Sequence, residues 1–262
     1  MFFKSIDFSR FSSIKIGQNI DVLMIEKSDT IPKDRVIIGH GNNILVSSNP
    51  PPIMMLSKDF SFIELENNIL RVGSATPIGK LLSFAKKNNL ANFEFISKLP
   101  GSLGGMVAMN AGVKGYEIFN IIDAIKIDGK WIEKDKIEYG YRFTKLKGVV
   151  TEVRFIVKKG FDNNLLNKLI RLRLNQPKTP SAGSLFKNPQ GDYAGRLIEE
   201  VGLKGFRRGD MEWSNIHANF LINRGSGKFT DAKYLIDLAK ERVFEKFNIK
   251  LVEEVKILEE KS

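Results

Sequence analysis

The chain of 262 residues carries 41 lysines and arginines against 30 acids, a formal charge of +11, with 42% apolar and 27% charged residues. That length exceeds one ordinary domain, and the balance is that of a globular protein. The absence of cysteine excludes disulfides and thiolate metal sites; two histidines, His40 and His217, exclude a histidine-rich site, and no carboxylate spacing points to a metal. The charge excess suggests an acidic partner, nucleic acid or a phosphorylated molecule, but the lysines are spread with no long basic run. No stretch approaches the roughly 18 uninterrupted apolar residues of a membrane span. Residues 1–10 carry Lys4, Asp7 and Arg10 without the apolar run of a signal peptide. A cytoplasmic protein with no membrane span and no nucleic-acid partner is therefore expected.

Residues 20–25 and 35–38 read as short strands rich in β-branched side chains. The second runs into Gly39-His40-Gly41-Asn42-Asn43, followed at once by the β-formers of residues 44–46. The third glycine and the helix of a dinucleotide fingerprint are missing, so a Rossmann fold is excluded. Successive backbone N–H groups in such a turn can still form an anion-binding nest. Residues 53–56, 62–65 and 69–72 continue as strands, the last two joined as a hairpin at Asn67-Asn68. Thr76-Pro77 predicts a helix start, threonine at the N-cap and proline just inside, with the end near Asn88-Asn89.

The densest glycine region follows, with Gly101, Gly104, Gly105, Gly112 and Gly115 interleaved with small or apolar residues. Backbone packed against a flat ligand or its phosphates accounts for this better than a flexible linker, which would lack Leu, Met and Val. Residues 121–127 and 130–132 form a hairpin through Asp128-Gly129. In Tyr139-Gly140-Tyr141-Arg142-Phe143-Thr144, Arg142 is either a surface cation–π partner or a guanidinium planted in a pocket. A strand over 148–157 precedes a helix capped by Asp162, and a domain boundary is expected there.

Pro180-Ser181-Ala182-Gly183-Ser184-Leu185-Phe186-Lys187-Asn188-Pro189 places a hydroxyl, a lysine and an amide around one glycine. That reads as a cradle for an anion with a proton donor in its floor, or as a plain surface turn. From Arg171 to Arg208 there are eight basic residues against three acids, so the stretch is electropositive. Beyond it, residues 193–201 predict a helix ended by Gly202 and residues 217–223 a strand. Thr230 is expected to cap a helix to Phe247, and 249–257 to form a closing strand interrupted by Glu253-Glu254. Adjacent carboxylates on a strand face opposite ways, so one of the two points inward and needs a partner or a function. A serine hydrolase using Ser184 and His217 is disfavoured, since Ala182 and Phe186 stand where a nucleophile elbow has glycines.

Four blocks together carry a resemblance: Gly39-His40-Gly41-Asn42-Asn43-Ile44-Leu45-Val46, Pro100-Gly101-Ser102-Leu103-Gly104-Gly105 with Met109-Asn110-Ala111-Gly112, Tyr139-Gly140-Tyr141-Arg142, and the Ser184 block. In order and spacing over nearly the whole chain they resemble the UDP-N-acetylenolpyruvoylglucosamine reductase (MurB) family. The resemblance implies an α+β fold. It comprises an FAD-binding domain of the vanillyl-alcohol-oxidase/PCMH type, with subdomains over 1–56 and 57–160, and a C-terminal α+β substrate-binding domain over 161–248. The strand 249–258 would return to the second subdomain. FAD would be held by Gly39, His40, Gly41, Asn42, Asn43, Pro100, Gly101, Ser102, Gly104, Gly105, Asn110 and Gly112. The family's catalytic arginine, serine and glutamate fall on Arg142, Ser184 and Glu254, with Lys187 and Asn188 toward a UDP-sugar substrate and NADPH as hydride donor. A monomer is expected. The chain departs from the family pattern at His40 and Asn42, where a glycine and a serine are usual, in a short segment between Ile25 and Arg35, and in lacking a tyrosine-bearing insertion. It is thus similar to the shorter form. The alternative reading is another FAD-dependent oxidoreductase acting on a different anionic substrate.

Overall fold

The structure is a computed structural model and describes residues 1–260. It divides into two compact units, each assembled from several chain segments: 1–4, 22–40 and 52–174 in the first; 5–21, 41–51 and 175 onward in the second.

An antiparallel five-stranded sheet forms the centre of the first unit. Its order is Lys130–Glu133, Ile122–Ile127, Val150–Ile156, Ile69–Gly73, Ile63–Glu66. Along Ile69–Gly73 the alternation is plain: Leu70 and Val72 are buried, while Ile69 and Arg71 are exposed. The apolar face packs with Ile78 and Leu81 of the helix Ile78–Lys87, Met106 and Val107 of Leu103–Met109, and Leu169 of Asn163–Arg171. Fully burying one such side chain is worth about 1.5–3 kcal/mol. Charged residues pair across neighbouring strands of the sheet, Arg71 and Lys126 with Glu152 and Arg154 with Asp123, and Arg154 also reaches Glu133 one strand further on. Both predicted hairpins are present. Asn67 takes φ +55° at the first, and Asp128 and Gly129 take φ +45° and +83° at the second, the left-handed pair that a tight antiparallel turn needs. A smaller four-stranded sheet has the order Phe2–Asp7, Asn19–Ile25, Ile53–Leu56, Val36–Ile37, in which Ile53–Leu56 pairs in parallel with both of its neighbours.

In the second unit an antiparallel sheet takes the order Ser181–Ser184, Phe220–Asn223, Met211–Trp213, Arg207–Arg208. Buried Trp213 and Phe186 stack at its core, along with Leu235, Ile236, Ala239 and Val243 of the helix Phe229–Phe247. Ile14, Ile16 and Leu45 come from the early segments to join them.

Several expectations need correction. Thr76 does not cap the first helix; its hydroxyl donates to the Phe62 carbonyl instead, and Pro77 stands at the N-cap without a side-chain bond. The last helix begins at Phe229 with Lys228 as cap, so Thr230 lies inside it. Residues 217–219 form a turn closed by the Phe220 N–H on the His217 carbonyl, which shortens the predicted strand to Phe220–Asn223. The helix Asn163–Arg171, capped by Asp162 as expected, belongs to the first unit, and the boundary falls after Leu174. The C-terminal strand is only Lys256–Leu258. It runs parallel to Ile44–Val46 within the second unit and does not return to residues 57–160.

Candidate active site

Three groups of residues carry the chemistry read from the sequence. The first is the glycine-rich ground of the first unit. At Gly39 an added Cβ would stand 2.5 Å from the Ser102 hydroxyl, so the bare backbone lets these two loops meet without turning that hydroxyl aside. The helix Leu103–Met109, opened by Ser102, contains Gly104 and Gly105, and Gly104 lies against Ser74. Among the described residues, the N–H groups of Gly39, His40, Gly101, Ser102 and Gly105 have no acceptor within the protein, and the buried Ser74 hydroxyl has no hydrogen-bond partner. Unsatisfied donors beside backbone stripped of side chains are what a diphosphate needs. These residues therefore fit a dinucleotide cofactor. His40 is half-buried; burial pushes its pKa down, against an opposing hydrogen bond to the Gly101 backbone. Gly41, Asn42 and Asn43 are assigned to the second unit. There the Asn43 amide donates to the Glu254 carbonyl at 2.9 Å, a structural use of that side chain.

Asn110 ends the glycine helix in the left-handed conformation, φ +41°, and is fully buried. Its amide donates to Glu117 at 2.7 Å and to the Gly140 carbonyl at 3.0 Å, and its oxygen accepts from the Phe119 N–H. Both of its N–H donors are thus spent inside the protein. Arg142 sits in the turn between Tyr139–Gly140 and Phe143–Thr144, at φ +54°. A branched-free glycine or an asparagine would hold that conformation more cheaply, and strain of this kind, of order 1–3 kcal/mol, gathers at functional sites. The guanidinium donates to the Gly112 carbonyl at 2.9 Å, lies 3.8 Å from Glu117, and covers the Tyr141 ring at 5.1 Å. The side chain is 18% exposed, so the arginine is both stacked and planted. Arg173 adds a second cation near it: burial and the Arg142 charge push its pKa down, and its buried Nε has no hydrogen-bond partner among the described residues.

In the second unit, the strand Ser181–Ser184 bulges against Phe220–Asn223, three steps matching two between Ser181↔Ile222 and Ser184↔Phe220. Gly183, at φ +86°, supplies the left-handed residue that the bulge requires and so sets where Ser184 points. Beyond the serine, the backbone is clamped on both sides. Asn219 takes the Leu185 N–H with its carbonyl and both polar groups of Phe186 with its side-chain amide. On the other side the Glu254 N–H donates to the Leu185 carbonyl at 2.8 Å, and the Lys187 N–H donates to the Val252 carbonyl. Ser184 and Glu254 are thereby tied to the same residue, Leu185, across 70 positions of sequence. Glu253 is spoken for: its carboxylate pairs with Lys240 at 2.8 Å.

Lys187 is half-buried and makes no ion pair among the described residues. Asn188 caps the start of the helix Ala194–Glu200 by accepting from the Ala194 N–H. The local positive bias is partly neutralised, since Arg196, Lys204, Arg207 and Arg208 pair with Asp192, Glu199, Asp210 and Asp231. Arg196, with a hydrogen bond from Tyr193 N–H, holds the Asp192 carboxyl down to about 2. His217 accepts from the Asn219 N–H and packs edge-on against Phe220; no hydrogen bond joins it to Ser184 among the described residues, which removes the hydrolase reading. Glu117 escaped the sequence reading, because its partners Asn110 and Arg142 are recognised only once the hairpin has folded back.

Residues 176–258 match the family described as UDP-N-acetylenolpyruvoylglucosamine reductase, C-terminal domain. A UDP-N-acetylenolpyruvoylglucosamine reductase from Helicobacter hepaticus is 46% identical over 258 residues, spanning 97% of this chain and 98% of the relative. One from Campylobacter jejuni is 43% identical over 258 residues, spanning 97% and 99%. The chain belongs to the UDP-N-acetylenolpyruvoylglucosamine reductase family. The family is one of oxidoreductases, and the chain is an enzyme of that kind. Among solved structures, the reductase (MurB) from Thermus caldophilus aligns with a TM-score of 0.86 at 29% identity, over 99% of this chain and 100% of that one. The mixed α+β architecture with a C-terminal domain expected for the family is the one observed. No helix among the described residues is long and apolar enough to cross a membrane.

Proposed function

We propose that the protein reduces the enolpyruvyl ether of UDP-N-acetylglucosamine to UDP-N-acetylmuramate for peptidoglycan synthesis, with FAD as bound cofactor and NADPH as reductant. The observation that carries this reading is the clamp on Leu185, which ties Ser184 to Glu254 in a chain matched end to end by reductases of that name. Gly39, His40, Gly101, Ser102 and Gly105 would hold the FAD diphosphate through their backbone N–H groups. Bound there, FAD supplies a carrier that takes hydride from NADPH and passes it to the methylene carbon of the enol ether.

As that hydride arrives, the electron pair of the double bond moves to the adjacent carbon and is shared with its carboxylate. Arg142, with its guanidinium fixed beforehand on the Gly112 carbonyl, meets this developing charge at no cost of reorganisation. Ser184 then gives its proton to the carbon, and the reduced ether leaves saturated. A serine hydroxyl is a weak acid, so it serves only because the carbon it protonates is strongly basic. Lys187, three residues on and without an ion pair among the described residues, offsets the alkoxide and attracts the substrate's diphosphate. Glu254 helps to polarise the substrate, a role Glu253 cannot share while it pairs with Lys240.

The test is direct. The purified protein should show the visible absorption of a flavin and turn over NADPH catalytically only when the enolpyruvyl substrate is added. A colourless protein that binds no added FAD, or NADPH oxidation indifferent to that substrate, would sink the proposal.

A further inference from the structure

The Arg142 turn has a feature that the proposed chemistry does not by itself require. The guanidinium is carried on a strained residue at φ +54°, half-buried, in a two-residue turn whose own strands are two residues each. So short a hairpin does little to fix a long side chain, and an arginine ordered in one rotamer gives up about 2 kcal/mol of freedom. Something else has to hold it. Two holding groups come from the segment just after the glycine helix: the Gly112 carbonyl at 2.9 Å from one terminal nitrogen, and Glu117 at 3.8 Å from the other. Glu117 is itself anchored. Its second oxygen accepts from the buried Asn110 amide at 2.7 Å, and its backbone N–H donates to the Asn120 side chain, which fixes the carboxylate at the start of a short helical turn. Asn110 also grips the Gly140 carbonyl at 3.0 Å, so one fully buried amide ties the carboxylate and the strand that leads to Arg142 into a single unit.

We propose that Glu117, anchored by Asn110, is a positioning residue for Arg142, holding its guanidinium in the orientation the reaction uses. The inference rests on the role given to Arg142 above. Its charge matters as well as its shape. Arg173 places a like charge near Arg142, and burial with that repulsion already disfavours its ionised form. The Glu117 carboxylate offsets that like charge, and its loss leaves the repulsion less opposed. A misplacement of about 1 Å near the reacting atoms can cost on the order of 100-fold.

The experiment compares Glu117→Gln, Arg142→Met and the double variant, each loaded with FAD, in steady-state turnover, in substrate affinity by calorimetry and in thermal melting. Glu117→Gln keeps the shape and removes the charge. It should lower kcat about 10–100-fold while KM and the calorimetric affinity move much less, because the loss falls on the transition state. Its melting temperature should stay near the parent's. Added to Arg142→Met, the same change should cause no further loss, since Glu117 acts only through that arginine. Parental kcat in Glu117→Gln, or losses that multiply in the double variant, would overturn the inference while leaving Arg142 in place. Parental kcat in Arg142→Met would instead overturn the role given to Arg142. Should Glu117→Gln fail to fold, Glu117→Asp withdraws the carboxylate by one methylene from both partners. It should still slow turnover, and parental kcat there would also count against the inference.

Discussion

Around Ser184 the chain is held by its backbone, whereas around Arg142 it is held by side chains. Leu185, Phe186 and Lys187 give their N–H and carbonyl groups to Asn219 on one side and to residues 252–255 on the other, with a glycine bulge fixing the serine just before them. Arg142 donates to the Gly112 carbonyl and has a chain of acid and amide, Glu117 and Asn110, behind it. The difference teaches where each region is vulnerable. A serine set by a strand can lose its hydroxyl without the scaffold moving, so its removal isolates chemistry from structure. An arginine set by side chains can be disabled from a distance.

Ser184→Ala should therefore give the largest effect on rate with the smallest on stability. Turnover should fall at least ~100-fold, the usual contribution of a general acid, while melting temperature and FAD content stay near the parent's. Comparable loss of FAD in that variant would mean that the strand, not the hydroxyl, had been tested. Asn219→Ala attacks the scaffold instead. It strands the buried N–H and carbonyl of Phe186, and should cost about 2–4 kcal/mol, read as a lower denaturant midpoint, with turnover falling alongside.

Gly39→Ala turns to the cradle of the first unit. The new methyl meets the Ser102 hydroxyl, which can rotate, so the fold should survive; FAD affinity should weaken about 10-fold, measured by flavin fluorescence on titration. Unchanged affinity would take Gly39 out of the cofactor site. The smallest effect concerns pH. Burial lowers the pKa of His40 in the first unit and of His217 in the second. The unfolded chain then binds more protons than the folded one as pH drops below about 6.5, so stability should fall as pH falls through that region. His40→Gln and His217→Gln should each flatten part of that slope in urea melts at pH 5 to 7.5, and a slope unchanged in both would contradict the assignment to these residues.

What could be read from the sequence was local. Asn67-Asn68 and Asp128-Gly129 announced their hairpins because asparagine, aspartate and glycine tolerate the left-handed backbone those turns need. Asp162 announced its helix because its carboxylate accepts from the N–H groups of Asn164 and Leu165. Thr76 and Thr230 misled in that same local logic: one hydroxyl was taken by the Phe62 carbonyl, and the other helix started two residues earlier. The helix Leu103–Met109 was hidden by its two glycines, which are poor helix formers kept for close approach. The interleaved units were out of reach altogether. Nothing local in Ile44–Val46 says that its partner is Lys256–Leu258, more than two hundred residues on. For the proposed site, Arg142, Ser184 and Glu254 stood out as motif residues, while Glu117 did not, since a lone acid in a loop gains its meaning only from Asn110 and the folded hairpin.

One measurement bears on the central claim most directly. The protein is supplied with ordinary NADPH and the enolpyruvyl substrate in deuterium oxide, and the product is read by proton NMR. The account predicts deuterium on the carbon that bears the carboxylate, where Ser184 delivers an exchangeable proton; the methyl group takes protium or deuterium according to how far the N–H of the reduced flavin exchanges with solvent before hydride is delivered. Deuterium confined to the methyl group, or no reduced product at all, would contradict it.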